Sequence, residues 1–367
     1  MKLIDRMLLR NFFKAWLVCF FSLVSLYVVI DIFNKLDQFI DVAGQTDTNV
    51  FEVMGVFYSY QLVLIFDRLC GVIILLAAMF TVTWMLRNNE LLPLLSAGVS
   101  TRRVLQPVFF GTVVMLALSV ANREMLMPRI ADKLENPASD PHGEGMKVVT
   151  GGYEPNGILI AGHVGYRKGM LIKNFTCTIP ERVAGALVNI AAREARYIPP
   201  GIQQPSGGWL LTETTPAAPP INISANVLEK LDPGKLFLHT ERLDFDAITR
   251  SNVWYTYASM WNIVNELDRA DGSRLAGMAV QIHLRVTLPF LTLIMVLMGV
   301  AIILRDQCRN IFLNAGMCLV VAALFYASCY LAKYLGDHEY LSPTMSAWLP
   351  VILFGPPSVA MTDAIHT

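Results

Sequence analysis

The sequence predicts an α-helical membrane protein: six transmembrane helices, arranged three plus three, with an extracytoplasmic β-rich domain, an antiparallel sandwich or β-jellyroll, inserted between helices 3 and 4. Three observations predict it. Six runs lack any charged residue: Ala15 to Ile30, Leu69 to Leu86, Val104 to Asn122, Val286 to Leu304, Asn310 to Ala332 and Tyr340 to Thr362. A bilayer core of about 30 Å takes roughly 20 apolar residues as a helix, and only a helix satisfies its own backbone where no water can. Apolar residues make up 54% of the 367 and charged ones 16%, with a mean hydropathy of +0.48. Between the third and fourth runs the chain becomes polar and takes on a strand-like texture.

The first run is the shortest, but Phe12, Phe13, Ile32 and Phe33 extend it, and Lys14 can snorkel toward head groups. Asp31-Ile-Phe-Asn-Lys-Leu-Asp follows it in place of a small-residue cleavage site, so it reads as a retained span. Ahead of it, Leu3, Ile4, Met7, Leu8 and Phe12 form one face of an interfacial helix, with Lys2, Arg6 and Arg10 on other faces. Lys2 to Lys14, Arg87, Arg102, Arg103, Arg305 and Arg309 flank the runs on one side, while the loop between runs five and six carries Asp337 and Glu339. By the positive-inside rule both termini are cytoplasmic and residues 123–280 periplasmic. The domains are then 1–122, with a cytoplasmic segment at 89–98, the insert at 123–270, and 271–367.

In the insert, Gly157 to Ala161, Met170 to Ile179, Leu187 to Ile198, Gly208 to Glu213 and Lys235 to Phe245 are short, rich in Ile, Val, Thr and Leu, and separated by Gly and Pro clusters such as Pro216 to Pro220. Such spacing suggests an antiparallel sandwich or jelly roll. After Ala247 the recurrence of Val253, Tyr257, Met260, Trp261 and Val264 predicts an amphipathic helix returning the chain to the membrane, broken at Asp271-Gly-Ser.

Several functions are excluded or carry no signal. No GxxxxGK[ST], HExxH or GxSxG occurs, so no nucleotide hydrolysis through a P-loop and no catalytic site is expected, nor any cofactor. Cationic and acidic residues balance at 29 each, which gives no sign of nucleic-acid binding. Of six cysteines, Cys177 alone lies in the insert and Cys308 in a short loop; all read as small buried hydrophobes without metal spacing. His142, His163, His239, His283, His338 and His366 are scattered, and Asn174 and Asn222 sit in glycosylation-like triplets that occur often by chance. Asp31 and Asp67-Arg68 are ionisable groups at the edges of the apolar region, where such groups are either functional or interfacial.

Arg87 to Ser100 is the most informative short segment. Asn88 or Asn89 can cap a helix, Glu90 suits its positive N-terminal end, Pro93 fits the first turn and Gly98 the stop. Leu91, Leu94 and Leu95 then share a face that either docks into a groove on a cytoplasmic partner or rests on the bilayer.

The chain resembles the LptF/LptG lipopolysaccharide export permease family. The resemblance is carried by Leu3-Ile-Asp-Arg-Met-Leu-Leu-Arg-Asn-Phe-Phe-Lys, by Leu86-Arg-Asn-Asn-Glu-Leu with Ser96-Ala-Gly-Val-Ser, by Asn122-Arg-Glu-Met-Leu-Met-Pro-Arg, and by His283-Leu-Arg-Val-Thr-Leu-Pro-Phe with Gly299. It implies a non-enzymatic subunit of an ABC transporter in the bacterial inner membrane. That subunit pairs with a second LptF/LptG-type permease, an LptB-like ATPase dimer and an LptC/LptA-like periplasmic jellyroll protein, and moves lipopolysaccharide or a related lipid toward the outer membrane. By the same resemblance Glu90 is the acidic residue of the coupling helix, with Leu91, Leu94 and Leu95 as groove contacts. Lys35, Asp31 and Arg285 are candidates for substrate contact, Arg285 lying with Pro289 where the family's pattern falls in the fourth helix. Two rival readings are a permease of another envelope ABC system and a non-transporting membrane scaffold.

Overall fold

A computed structural model describes residues 3–46, 48–134, 146–167, 169–201, 207–217, 223–224, 226–232, 234–249, 254–267, 272–305 and 311–363. Cys308, His142, His366, Asn222, Val253 and Asp271 lie outside the described residues. Two compact units result, one from Met1–Leu134 with Tyr255–Thr367 and one from Glu135–Trp254. The second is narrower than the 123–270 insert read from sequence, because residues 122–134 continue the third spanning helix and 255–267 belong with the helices.

Helix α1 (Leu3–Thr46) runs unbroken for 44 residues, roughly 66 Å at 1.5 Å per residue. No Gly or Pro occurs between Leu3 and Ala43 to interrupt it, so the expected N-terminal interfacial helix is not a separate element but the first turns of the first span. α2 (Val50–Arg87) folds back along it, and Phe39 packs on Phe57 and Tyr58 with ring centroids 5.4 and 6.1 Å apart. A short helix, α3 (Leu91–Ser96), leads to α4 (Thr101–Ala121). There the winding widens into a π turn at Asn122–Leu126 and tightens to 3-10 at Met127–Arg129 before α5 (Ala131–Leu134). Pro128 lacks the N–H that an α-helix would bond to the Glu124 carbonyl, and its ring would crowd that oxygen, so regular α winding fails here.

The second unit is one antiparallel sheet. Its strands are β1 (Met146–Val148), β2 (Gly152–Tyr153), β3 (Leu159–Ala161), β4 (Val164–Tyr166), β5 (Leu171–Ile179), β6 (Val188–Ile198), β7 (Gly208–Thr215), β8 (Leu228–Asp232) and β9 (Lys235–His239). They run in the order β1-β4-β5-β6-β7-β9-β8, with β3 bridging β2 to β5. The long central strands alternate as expected, burying Cys177, Ile179, Val188 and Ile190. The buried parity then shifts together in three neighbours, between Ile172 and Phe175, Ala192 and Ala195, and Leu211 and Thr214. Asn174 and Glu213, at φ 54° and 53°, sit within two of these steps, and the sheet turns its buried face across that line. Trp209 is fully buried and donates to the Leu243 carbonyl at 3.0 Å. The buried Glu154 carboxylate accepts backbone N–H groups of Glu241, Arg242 and Leu243 at 3.4, 3.2 and 2.8 Å. Burial pushes the Cys177 thiol up to about 12.

The sequence located the segments that form β3, β5, β6, β7 and β9 but missed β1, β2, β4 and β8, which are too short or too polar to show a pattern. The last predicted strand ends early, at His239, and Phe245–Thr249 is helical. Short helices α6 (Glu181–Ala184) and α7 (Phe245–Thr249) decorate the sheet, and a 3-10 turn at Trp254–Thr256 precedes α8 (Met260–Leu267). The predicted return helix is therefore two pieces. α9 (Gly272–Arg305), α10 (Ile311–Asp337) and α11 (Pro343–Asp363) complete the helical unit.

Six helices among the described residues are long and apolar enough to cross a membrane, as predicted. α2 is central, with 61% of its most apolar window buried, while only 11% of α1's is, so α1 presents most of its surface to lipid or to other chains. The core joins Ile73, Ile74, Leu75 and Met79 of α2 to Met295, Val296 and Val300 of α9 and Phe325 of α10. A Cβ on Gly299 would stand 2.5 Å from Leu75 Cδ1, so the bare glycine lets α9 lie close against α2.

Candidate functional site

Three regions of the helical unit carry polar groups in arrangements that packing alone does not require. One is the connector between α2 and α4. The chain leaves α2 through Asn89, whose φ of 55° is left-handed, and the Asn89 and Glu90 amides still bond back to the Leu86 and Met85 carbonyls at 3.1 and 3.0 Å. Asn88 Nδ2 donates to Glu90 Oε1 at 3.2 Å, holding the carboxylate beside the start of α3. Neither asparagine is the N-cap; Glu90 itself takes that position. Gly98, at φ 79°, stops the helix as predicted, with its N–H on the Leu95 carbonyl and the Val99 N–H on that of Leu94.

The leucines of α3 do not share one outward face. Leu91 is buried against Leu8, Met85 and Val104, and Leu94 packs beside it. Leu92 is 62% exposed and Leu95 39%. A six-residue helix lying against the ends of three longer ones must give its first inward position to them, and Leu91 and Leu94 take that role. Outward it offers Glu90, Leu92 and Leu95. The seat is reinforced by Arg103, which donates to Asp5 of α1 at 2.8 Å.

A second region lies at the opposite end of the unit. Arg123 closes on Asp67 through two hydrogen bonds, 3.1 Å from Nε and 2.8 Å from Nη2. This bidentate pair, and not one with the adjacent Arg68, is what Asp67 forms. Arg285, with its side chain 4% exposed, donates to Glu124 Oε1 at 2.9 Å and to the Tyr255 and Thr256 carbonyls at 3.2 Å. Glu124 Oε2 in turn accepts the Met260 N–H at 2.8 Å. The pair thus ties the π turn after α4, the segment entering α8 and the interior of α9 into one knot. A cavity of about 350 Å³ opens beside it, lined by Asp67, Arg68, Arg123, Pro289, Thr292 and Tyr326.

Lys35 and Asp31 form a third polar site, where α1 and α2 run together. Asp31 Oδ2 accepts from Lys35 Nζ and from the Tyr58 hydroxyl, both at 2.9 Å, and the ammonium lies 5.0 Å from the Phe57 ring centre. Of the sequence-derived substrate candidates, Lys35 and Asp31 therefore neutralise each other, and Arg285 is enclosed and occupied. Glu124 and Arg123 were not singled out from sequence, although both lie in the stretch Asn122 to Arg129. The signal was there: two carboxylate and guanidinium groups breaking an apolar run are expensive unless paired.

The lipopolysaccharide export system permease LptF/LptG family matches residues 6–144 and 220–362. The chain belongs to the LptF/LptG family. Membership makes it a subunit of a transport system and not an enzyme, and together with six apolar helices it describes a multi-pass inner-membrane protein. Both partners of the Glu124–Arg285 knot and the whole connector fall inside the LptF/LptG match, whereas β1 to β7 fall outside it. A search of curated proteins returns no match. Among the described residues no cluster of His, Cys, Asp and Glu could hold a metal ion.

Proposed function

We propose that this chain is a permease subunit that extracts lipopolysaccharide or a related lipid from the inner membrane, for transfer across the periplasm to the outer membrane. It works with a second LptF/LptG-type permease, an LptB-like cytoplasmic ATPase dimer and an LptC/LptA-like periplasmic jellyroll protein. Both termini are cytoplasmic, residues 123–280 are periplasmic, and the sheet is the jellyroll along which lipid passes. The observation that supports the reading most directly is the connector. α3 is seated through Leu91 and Leu94 on the ends of α1, α2 and α4 while Glu90, Leu92 and Leu95 stay accessible. A rigid seat with an outward carboxylate and two outward leucines is a handle by which an ATPase could move the helices. A basic residue opposite Glu90 would make a charge-assisted contact, and losing it from an interface that excludes water costs about 2 kcal/mol or more.

The test is ATP-driven lipid release from proteoliposomes with pull-down of the ATPase. Glu90→Lys should abolish release in a folded, inserted protein, and Leu95→Asp should reduce ATPase retention. Normal release by Glu90→Lys together with normal retention by Leu95→Asp would return the connector to a surface-lying loop. Orientation is read by an impermeant maleimide. Glu181→Cys should label from the periplasmic side and Ser100→Cys should not, while the buried Cys177 thiol stays silent. Lys35 contacts a lipid phosphate by exchanging it for Asp31, so Lys35→Glu should weaken lipid photocrosslinking to neighbouring α1 positions.

A further inference from the structure

Arg6, Arg10 and Lys14 follow one another at four-residue intervals on α1, all exposed and none with a carboxylate partner among the described residues. That spacing stacks them about 6 Å apart along nearly one face. Lys14, the innermost, stands at the edge of a groove between α1 and α2 of about 520 Å³, lined by Asn11, Lys14, Val18, Cys19, Phe80 and Trp84. Apart from Asn11, Lys14 and the Thr81 hydroxyl, the walls are apolar, and that hydroxyl is occupied by the Ala77 carbonyl at 2.7 Å. The site is thus an apolar trough running into the membrane, with an unneutralised ladder of cations where it reaches the head groups.

We propose that this groove holds one anionic phospholipid, from the leaflet at the N-terminal end of α1. Its phosphate meets Lys14 and Arg10, and an acyl chain lies along Val18, Cys19 and Phe80 beneath Trp84. Charge complementarity selects the occupant. A zwitterionic lipid brings its own cation against the ladder, and an apolar helix from another chain would leave Lys14 unanswered at a closed interface. Trp84, 53% exposed at the end of α2, has the amphipathic ring favoured at that depth. The assignment is independent of the connector and of the transported lipid, since it places a resident lipid in the leaflet facing the N-terminus.

Native mass spectrometry of the full-length chain, titrated with phosphatidylglycerol or phosphatidylcholine, tests it. The parent should retain phosphatidylglycerol preferentially. Arg10→Gln with Lys14→Gln should lower that retention about tenfold, with little change for phosphatidylcholine. Val18→Trp keeps every charge but fills the trough, so it should also lose the lipid and serves if the charge variant fails to fold. Phosphatidylglycerol brominated on its acyl chains should quench a fluorescence component that disappears in Trp84→Phe. Equal retention of the two lipids by the parent, or undiminished phosphatidylglycerol in both variants, would overturn the site. So would a photocrosslinker at Val18 that captures a protein in native membranes.

Discussion

At the end of the helical unit that carries Asn122 to Leu134 and Tyr255 to Leu267, two ion pairs are enclosed: Arg285 is held by Glu124, which also accepts the Met260 N–H, and Arg123 is held by Asp67. At the opposite end Arg6, Arg10 and Lys14 stand in the open, Glu90 is half-exposed, and the Arg102–Asp363 pair is two-thirds exposed on both sides. The same residue types therefore do different work. Enclosed pairs fix which segments meet, because separating them leaves a charge where water cannot reach it. Open charges add little to stability and are available to lipids, partners and solvent.

The sharpest way to break this contrast is Glu124→Leu. It strands Arg285 in an enclosed site, and the expected loss is about 3–5 kcal/mol, read as a large drop in the thermal midpoint of the detergent-solubilised protein. Adding Arg285→Met should recover most of the loss, since no buried charge is then left alone. A single variant as stable as the parent would mean that the knot is wetter than its geometry indicates.

Within the connector, Leu91→Ala should cost about 2–3 kcal/mol by opening a cavity beneath α3, whereas Leu92→Ala should change stability by less than about 0.5 kcal/mol. Equal effects at the two positions would erase the distinction between seat and handle. The smallest effect is expected at Arg102→Ala, under about 1 kcal/mol, because an exposed pair is screened on both sides. A larger loss there would show that the open end also depends on its charges.

Hydropathy and local chemistry were enough to read much of this molecule. Each of the six charge-free runs became a helix, the strand-rich insert fell between the third and fourth, and Gly98 stopped the connector where a left-handed residue was needed. Legibility fell where the signal was shorter than a structural period. Strands of two or three residues such as β2 and β4 left no alternation to detect, and the helical spacing after Ala247 spanned two separate pieces. The connector misled in a specific way: Leu91, Leu94 and Leu95 are neighbours on any helix, but the facing side chains decide which of them turn inward.

The sequence by itself determined the number of spans and the place of the insert, because the cost of putting polar backbone or unpaired charge into hydrocarbon is felt residue by residue, and its short motifs carried the resemblance to the family. Only the tertiary structure decided that Glu124 belongs to Arg285, 161 positions away, that Asp67 takes Arg123 and not its neighbour Arg68, and that the Tyr58 hydroxyl closes on Asp31. Those choices depend on which helices meet and at what depth, and no local pattern encodes the position of a partner that arrives from the far end of the chain.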